Sequence, residues 1–525
     1  MQHLIKKQVF ELTLDKWLNH FHTQQLVSEH YWNNIVPLLE KIFDKAGSDE
    51  EVIQLDKLEI DLGVLSEKSI QKNEWGILLQ SKIEELLTVM LHTTSTVKKI
   101  KYQPKRLNTF GQWLFYMQHG YLPWNAINID EKWYQLVLEA LAVDFESVQT
   151  LRNVIKRDVR VLKRIIYQHD VHFLLTLSEV FTAEKQSELS VIINELTLLK
   201  KFIQEKEITH HSKTAKEITK ELWQQAIQLS VEAKENRSGK KIAHQLVALF
   251  VMEQQVNYKL AKAITIQLPV SLSLITAEIK NLSNSKQVES KVLPKLRKVS
   301  KKTEKDTKTK ETKSDGENSI QQRQSNASSL NDVSTQLIVV QKDINYTELH
   351  TSIADAIDEE GIFVANAGVV LLHPFLPTLF KRLNLLDKGS FISDMLHQKA
   401  LYLLHYLATG STAAEEHELL IAKVVCDTPE EMVVEKNIDI PSSELEELDD
   451  MIIAAIQQWD KLKNSSVAAL REGFLQRNGK LLKKNNCLYL QVEKSAIDIL
   501  LDYLPWNLSM IKLPWMKEIL RVEWR

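Results

Sequence analysis

The feature that most constrains this chain is a long central stretch, 106–268, in which apolar residues recur every three or four positions and glycine is nearly absent. That spacing is the helical period. Without glycines to interrupt it, successive apolar stripes are buried by stacking helices side by side, which predicts an antiparallel helical array. A first helix carries Phe110, Trp113, Leu114 and Met117 on one face and stops at Gly120. The segments 131–142, 145–169, 171–181, 188–204, 214–235 and 240–268 read as its successors. Glycine scarcity also excludes chemistry: only 13 of 525 residues are glycine, whereas loops that cradle phosphates need glycines in clusters. Ser238-Gly239-Lys240-Lys241 is the nearest approach, and it lacks the upstream glycine and the hydroxyl residue after the lysine.

Around the array the pattern changes three times. Val9-Phe10-Glu11-Leu12-Thr13-Leu14 alternates as a strand does, 53–62 reads as a second strand ending at Gly63, and helices are expected over 28–46 and through Trp75 to Met90. Residues 1–100 are therefore expected to form a small α+β domain, followed by a helical domain over 101–280. The stretch 281–345 is crowded with Lys, Ser and Thr and offers little apolar surface to offset the entropy of ordering, so it reads as a flexible linker. A nucleic-acid arm is the weaker reading, because Glu304, Asp306, Glu311 and Asp315 interrupt the positive run and no aromatic residue lies between Tyr258 and Tyr346 for a base to stack on.

Residues 346–525 are expected to form a second α+β domain. Helices are predicted over 368–386, bent at Pro374 and Pro377, and over 391–407. A third carries a capping box of Ser443 and Glu446, and a fourth is capped by Asn464 or Ser465 and closed by Gly479. Strands are predicted at 488–492 and 519–524. The fold class is thus mainly α with small β elements.

Active-site patterns are absent from the sequence. His169 with His172 and His210 with His211 lack the further ligands of a zinc site, and Cys426 and Cys487 read as small buried apolar residues in a reducing compartment. Glu415-Glu416 and Asp449-Asp450 are expected to face water. The cations Arg152, Lys156, Arg157, Arg160, Lys163 and Arg164 read as a solvated helix face rather than an anion-binding ridge. A net charge of -3 gives no global field toward nucleic acid or an anionic membrane. No stretch is long and apolar enough to span a bilayer, and Met1 to Asp15 has no signal-peptide core. A cytoplasmic chain without cofactor, metal or small-molecule substrate is expected.

The C-terminal block carries the most specific pattern. Asn366-Ala367-Gly368 is followed by His373-Pro374-Phe375-Leu376, then Trp459 with Leu462-Lys463-Asn464-Ser465-Ser466. Arg471, Phe474, Arg477 and Gly479 come next, and Leu504-Pro505-Trp506, Leu513-Pro514-Trp515 and a terminal Val522-Glu523-Trp524 complete the order. In this order the block resembles the tape measure proteins of extracellular contractile injection systems, the phage-tail-like syringes that bacteria assemble. The first hundred residues, notably Leu58-Glu59-Ile60-Asp61-Leu62-Gly63, resemble them more loosely. The resemblance implies a non-enzymatic assembly protein that helps set tube length, with inner-tube, baseplate and spike proteins as partners. It implies production in the cytoplasm and residence in the particle lumen. A cytosolic adaptor or chaperone for tube subunits or cargo is the alternative. Arg471 and Arg477 read as internal ion pairs before interface anchors. The Leu-Pro-Trp corners, of which Leu122-Pro123-Trp124 is a third copy, read as core anchors before docking knobs.

Overall fold

The computed structural model describes residues 3–46, 48–72, 74–92, 100–126, 129–206, 213–233, 242–253, 273–284, 354 and 357–524. The predicted linker 281–345 lies almost wholly outside them, as do the far part of the helix expected over 240–268, His210 with His211, and the Ser238-Gly239-Lys240-Lys241 run. The described chain is mainly helical with small sheets. It gathers into two units: Met1–Ser190 with Thr219–Gly239 and Thr351–Arg525, and Val191–Ile218 with Lys240–His350.

In the first unit α1 (His20–His30) runs through a π-helical turn into α2 (Val36–Ala46). After β1 (Glu51–Leu55) come α3 (Glu67–Gln71) and α4 (Glu74–His92). Ile35, Leu39, Ile42, Trp75, Leu79, Ile83 and Leu87 close a small core. The alternating run 9–14 forms no strand. Phe10 instead sets its ring against Tyr31 and Trp75, and β1 takes β2 (Ile100–Pro104) as its antiparallel partner.

The array follows as α5 (Lys105–His119), α6 (Glu131–Val143), α7 (Phe145–Arg157), α8 (Val159–Gln168) and α9 (Val171–Thr182). Aspartates punctuate it. Asp130, Asp144, Asp158 and Asp170 each accept a hydrogen bond from the first turn of the helix they precede, satisfying donors that have no partner within the helix. Asp158 is why the helix expected over 145–169 is two. It ends α7 in an extended conformation and caps α8, accepting from Arg160 N at 2.9 Å. Further on, α10 (Leu189–Lys206) and α11 (Ala215–Glu232) continue the helical pattern. Within the second unit, Glu195 caps the helix Ser273–Asn284 by accepting from Ile275 N at 2.8 Å, and α12 (Ile242–Glu253) packs on that helix.

The C-terminal block holds a five-stranded sheet ordered β3-β6-β7-β9-β8, made by β3 (Ile362–Val364), β6 (Gly479–Lys484), β7 (Cys487–Val492), β8 (Met510–Ile511) and β9 (Leu520–Glu523). β9 runs parallel to β7, and the other pairs are antiparallel. A separate two-stranded sheet is made by β4 (Leu386–Asp387) with β5 (Ser390–Phe391). The two strands expected at 488–492 and 519–524 are β7 and β9. β3 and β8 are too short to show a period, and β6 reads Gly-Lys-Leu-Leu-Lys-Lys without clean alternation.

Four local expectations give way here. The region 368–386 is not one bent helix but a 3₁₀ segment (Ala367–Leu372) and a short helix (Leu376–Arg382), because Pro374 and Pro377 withhold two donors in succession. The helix Ser442–Gln458 starts at Pro441 with no side-chain cap, in place of the Ser443–Glu446 box. Ser466, not Asn464 or Ser465, caps Val467–Leu470. Gly479 opens β6 rather than closing a helix, which ends in a π turn at Arg471–Leu475.

Two glycines give opposite tests. A Cβ on Gly368 would lie 1.8 Å from the Phe474 carbonyl oxygen, while one on Gly111, inside α5, would meet nothing within 4 Å. Gly368→Ala is expected to cost about 3 kcal/mol or more by forcing backbone apart, and Gly111→Ala to add about 0.5–1 kcal/mol. Urea denaturation of the two variants checks both signs.

Candidate functional site

The region where chemistry-bearing residues converge is the contact between α5, α6 and α8 and the C-terminal block. At its centre Glu416, fully buried, accepts from Arg164 Nε at 2.9 Å and from Lys423 Nζ at 2.6 Å. Arg164 is 2 % exposed and Lys423 3 %. Arg164 also donates to the carbonyls of Met117 and Gln118 at the end of α5, where the helix terminus is negative. Burial alone would raise the Glu416 carboxyl, but Lys423 and Arg164 together hold it below its ordinary value. Gly120 ends α5 in the left-handed conformation, with φ +74°, and a Cβ there would lie 2.6 Å from Glu416 Oε1. The position needs glycine twice over, for its dihedral and for its emptiness.

A polar shell extends this centre. Gln168 donates to the Val434 carbonyl at 2.8 Å, and its Oε1 accepts from Glu416 N at 3.2 Å and from the Tyr116 hydroxyl at 3.2 Å. Glu415 accepts from the Tyr134 hydroxyl at 2.6 Å and from Lys436 at 2.9 Å. Arg160 holds Asp158 and reaches Glu430 at 3.5 Å. Arg152, 7 % exposed, donates to the Val231 and Phe181 carbonyls.

Two sequence-based expectations are therefore corrected. Glu416 is buried and Glu415 partly so, and of the six cations Arg152 and Arg164 are buried while Lys156 and Arg157 stay exposed as expected. Glu416, Arg152 and Arg164 are drawn inward by partners distant in sequence. A signal was present: Arg164 falls at helical spacing between Val161, Ile165 and Gln168 on the apolar stripe of α8, and Lys423 stands alone in the apolar helix Leu420–Val425.

The residues of the C-terminal pattern lie elsewhere and hold the block together. Asn366 turns the chain at φ 57°, and Ala367 N donates to the Arg477 carbonyl at 2.7 Å. Gly368 lies against the backbone of Phe474, and Gly479 against Ala367. Trp459, 1 % exposed, donates to the Leu500 carbonyl at 3.2 Å and meets the Phe474 ring at 5.1 Å. Arg471 pairs with Asp449 at 2.8 Å beside the Tyr406 ring, and Arg477 with Asp498 at 3.3 Å. Trp506 donates to the Leu371 carbonyl at 3.0 Å, and Trp515 to the Val425 carbonyl at 2.9 Å. Pro505 and Pro514, which aim those indoles inward, are exposed, as is Pro374. Trp524 is buried. Trp124 of the third corner is 42 % exposed, so it does not share the role of the other two.

His169 accepts from Trp113 Nε1 at 2.9 Å and lies against Phe173 at 4.0 Å. Among the described residues no group of three or more His, Cys, Asp or Glu is arranged to hold a metal. No helix among them is long and apolar enough to cross a membrane.

A family model described as contractile injection system tape measure protein matches residues 2–524, nearly the whole chain. The chain belongs to that family. No curated protein and no solved structure matches it. In this tape measure chain the matched span takes in both the array and the C-terminal block, the two parts that the ion cluster joins.

Replacing Glu416 leaves two buried cations without their carboxylate, so Glu416→Gln is expected to lose about 3–5 kcal/mol. Glu415→Gln, at a half-buried site, should lose less, and paired urea titrations measure the difference. Acid should act earlier through histidines. Burial pulls His169 and His397 from 6.5 down to about 4. Between those values the unfolded chain takes protons that the folded chain refuses, so stability is full above about pH 6.5 and is lost as pH falls toward 4. Urea midpoints should fall across that window, and a level profile would contradict the burial of both rings.

Proposed function

We propose that this tape measure family member is a non-enzymatic assembly protein that helps set the length of the inner tube and its sheath. The C-terminal block docks to baseplate or spike components. The rest of the chain, including 281–345, supplies contour inside the tube. It is made in the cytoplasm of the producing bacterium and comes to occupy the particle lumen. The single observation carrying this reading is that the family match spans the chain end to end rather than one module.

Dimensions bear on how measuring would work. A fully helical chain of 525 residues reaches at most about 790 Å at about 1.5 Å per residue. Compact units with capped, ion-locked helices reach far less, so either the chain opens during assembly or its ordered parts dock while 281–345 spans. The same compactness favours the alternative reading, an adaptor or chaperone that holds tube subunits or cargo in its helical array.

Deleting or duplicating residues 291–329 separates the two. Each change removes or adds contour of about 60 Å if helical and up to about 130 Å if extended. A ruler predicts shorter particles from the deletion and longer ones from the duplication, measured by electron microscopy of purified particles. An adaptor predicts unchanged lengths with altered yield or loading.

A further inference from the structure

The five-stranded sheet buries one face and turns the other outward. Leu481, Leu488, Leu490 and Leu520 fill the inner face, none more than 1 % exposed. On the outer face, cross-strand register places Phe363, Lys480, Gln491 and Glu523 in one row, and Leu482, itself buried, with Tyr489, Arg521 and Met510 in the next. Lys484 follows Lys480 by four residues on the same side of β6. Phe363 is 57 % exposed and Met510 54 %.

Among the described residues, the cations of this face engage aromatic rings. Lys480 Nζ lies 5.3 Å from the Phe363 ring centre, Lys484 Nζ 5.6 Å from that of Tyr489, and Arg521 Cζ 5.8 Å from the same ring. Among the described residues none of the three has a carboxylate within ion-pair distance. The acids on this side are each taken by an amide: Glu523 by Gln491 Nε2 at 2.7 Å, and Glu493, just past β7, by Asn478 Nδ2 at 3.2 Å. Three cations free of ion pairs thus stand against two amide-bound carboxylates on a chain whose net charge is -3, so the positive field is local to this face.

The geometry points to this face as the seat of an acidic protein segment, one that sets Asp or Glu side chains on Lys480, Lys484 and Arg521 and apolar groups on Phe363 and Met510. The inference rests on the docking role proposed above and names the surface and partner chemistry for it. Charge complementarity selects the occupant. Carboxylates match an ammonium and, bidentately, a guanidinium fork. A nucleobase would need open ring faces, and here each ring already carries a cation. The residues of the C-terminal pattern are mostly consumed inside the block, which leaves this face to do the docking.

The test uses the full chain. A fluorescein-labelled peptide of alternating Glu and Leu should bind, weaken as salt rises, and lose at least about tenfold in affinity in the triple variant Lys480→Glu, Lys484→Glu, Arg521→Glu. Unchanged affinity overturns the proposal, and so does equal or tighter binding of an oligothymidine of the same charge. Should the reversed variant fail to fold by circular dichroism, the triple glutamine variant carries the same test without introducing acidic charge, and unchanged peptide binding there is equally decisive. In producing cells the wild-type chain should co-sediment with particles and the triple variant should not. A variant that co-sediments like wild type overturns the face while leaving the assembly role intact. A wild-type chain that never co-sediments, in cells whose particle lengths ignore the 291–329 deletion, overturns the assembly role itself.

Discussion

The first unit depends on one carboxylate answering two cations where no water reaches. Glu416 between Arg164 and Lys423 is a modest source of stability, since removing three charges from water costs much of what their attraction returns. It is a strict source of register. Any other seating of the C-terminal block on the array would strand at least one buried charge. The surrounding choices follow from it: glycine at 120, where a methyl would strike the cluster, and an aspartate at 158, which starts α8 so that Arg164 faces inward. The carbonyl end of α5 receives the rest of the guanidinium.

Much of the architecture was legible because it is local. The helical period located α4 to α9, and Gly120 ended α5 as its left-handed geometry requires. Some of the broken expectations depended on a partner remote in sequence, others on a single local bond. Val9 to Leu14 alternates like a strand, but a strand exists only where a neighbour offers an edge, and β1 found that neighbour in β2. Asp158 splits a helix whose apolar period runs on without a break, because a cap acts through one hydrogen bond that periodicity ignores. Glu416 looks like surface charge until Arg164, far back in the chain, is placed beside it.

The C-terminal pattern shows how a recognisable motif can be structural in its parts. Trp459 and Arg477 tie the segments after the long helix Ser442–Gln458 to the 3₁₀ segment Ala496–Tyr503, Phe474 packs on Trp459, and Arg471 ties them to the helix Asp394–Thr409. Trp506 and Trp515 each spend their only donor on a backbone carbonyl of the block. Such residues make the block rigid, and a rigid block can present the sheet's outer face at a fixed angle. Specific contact is then free to reside in Lys480 and Lys484 of β6 and Arg521 of β9, whose short polar–apolar surroundings carry no signature of their own.

The strand order has a temporal meaning. β9 lies between β7 and β8 although it follows both in the chain and so leaves the ribosome after them. Until it arrives, β7 keeps a bare edge and β8 has nothing to pair with. The sheet therefore closes in a single late event, and a nascent chain halted before Leu520 would show the cell an open ladder, an invitation to sticking and a mark by which quality control could tell unfinished copies from finished ones.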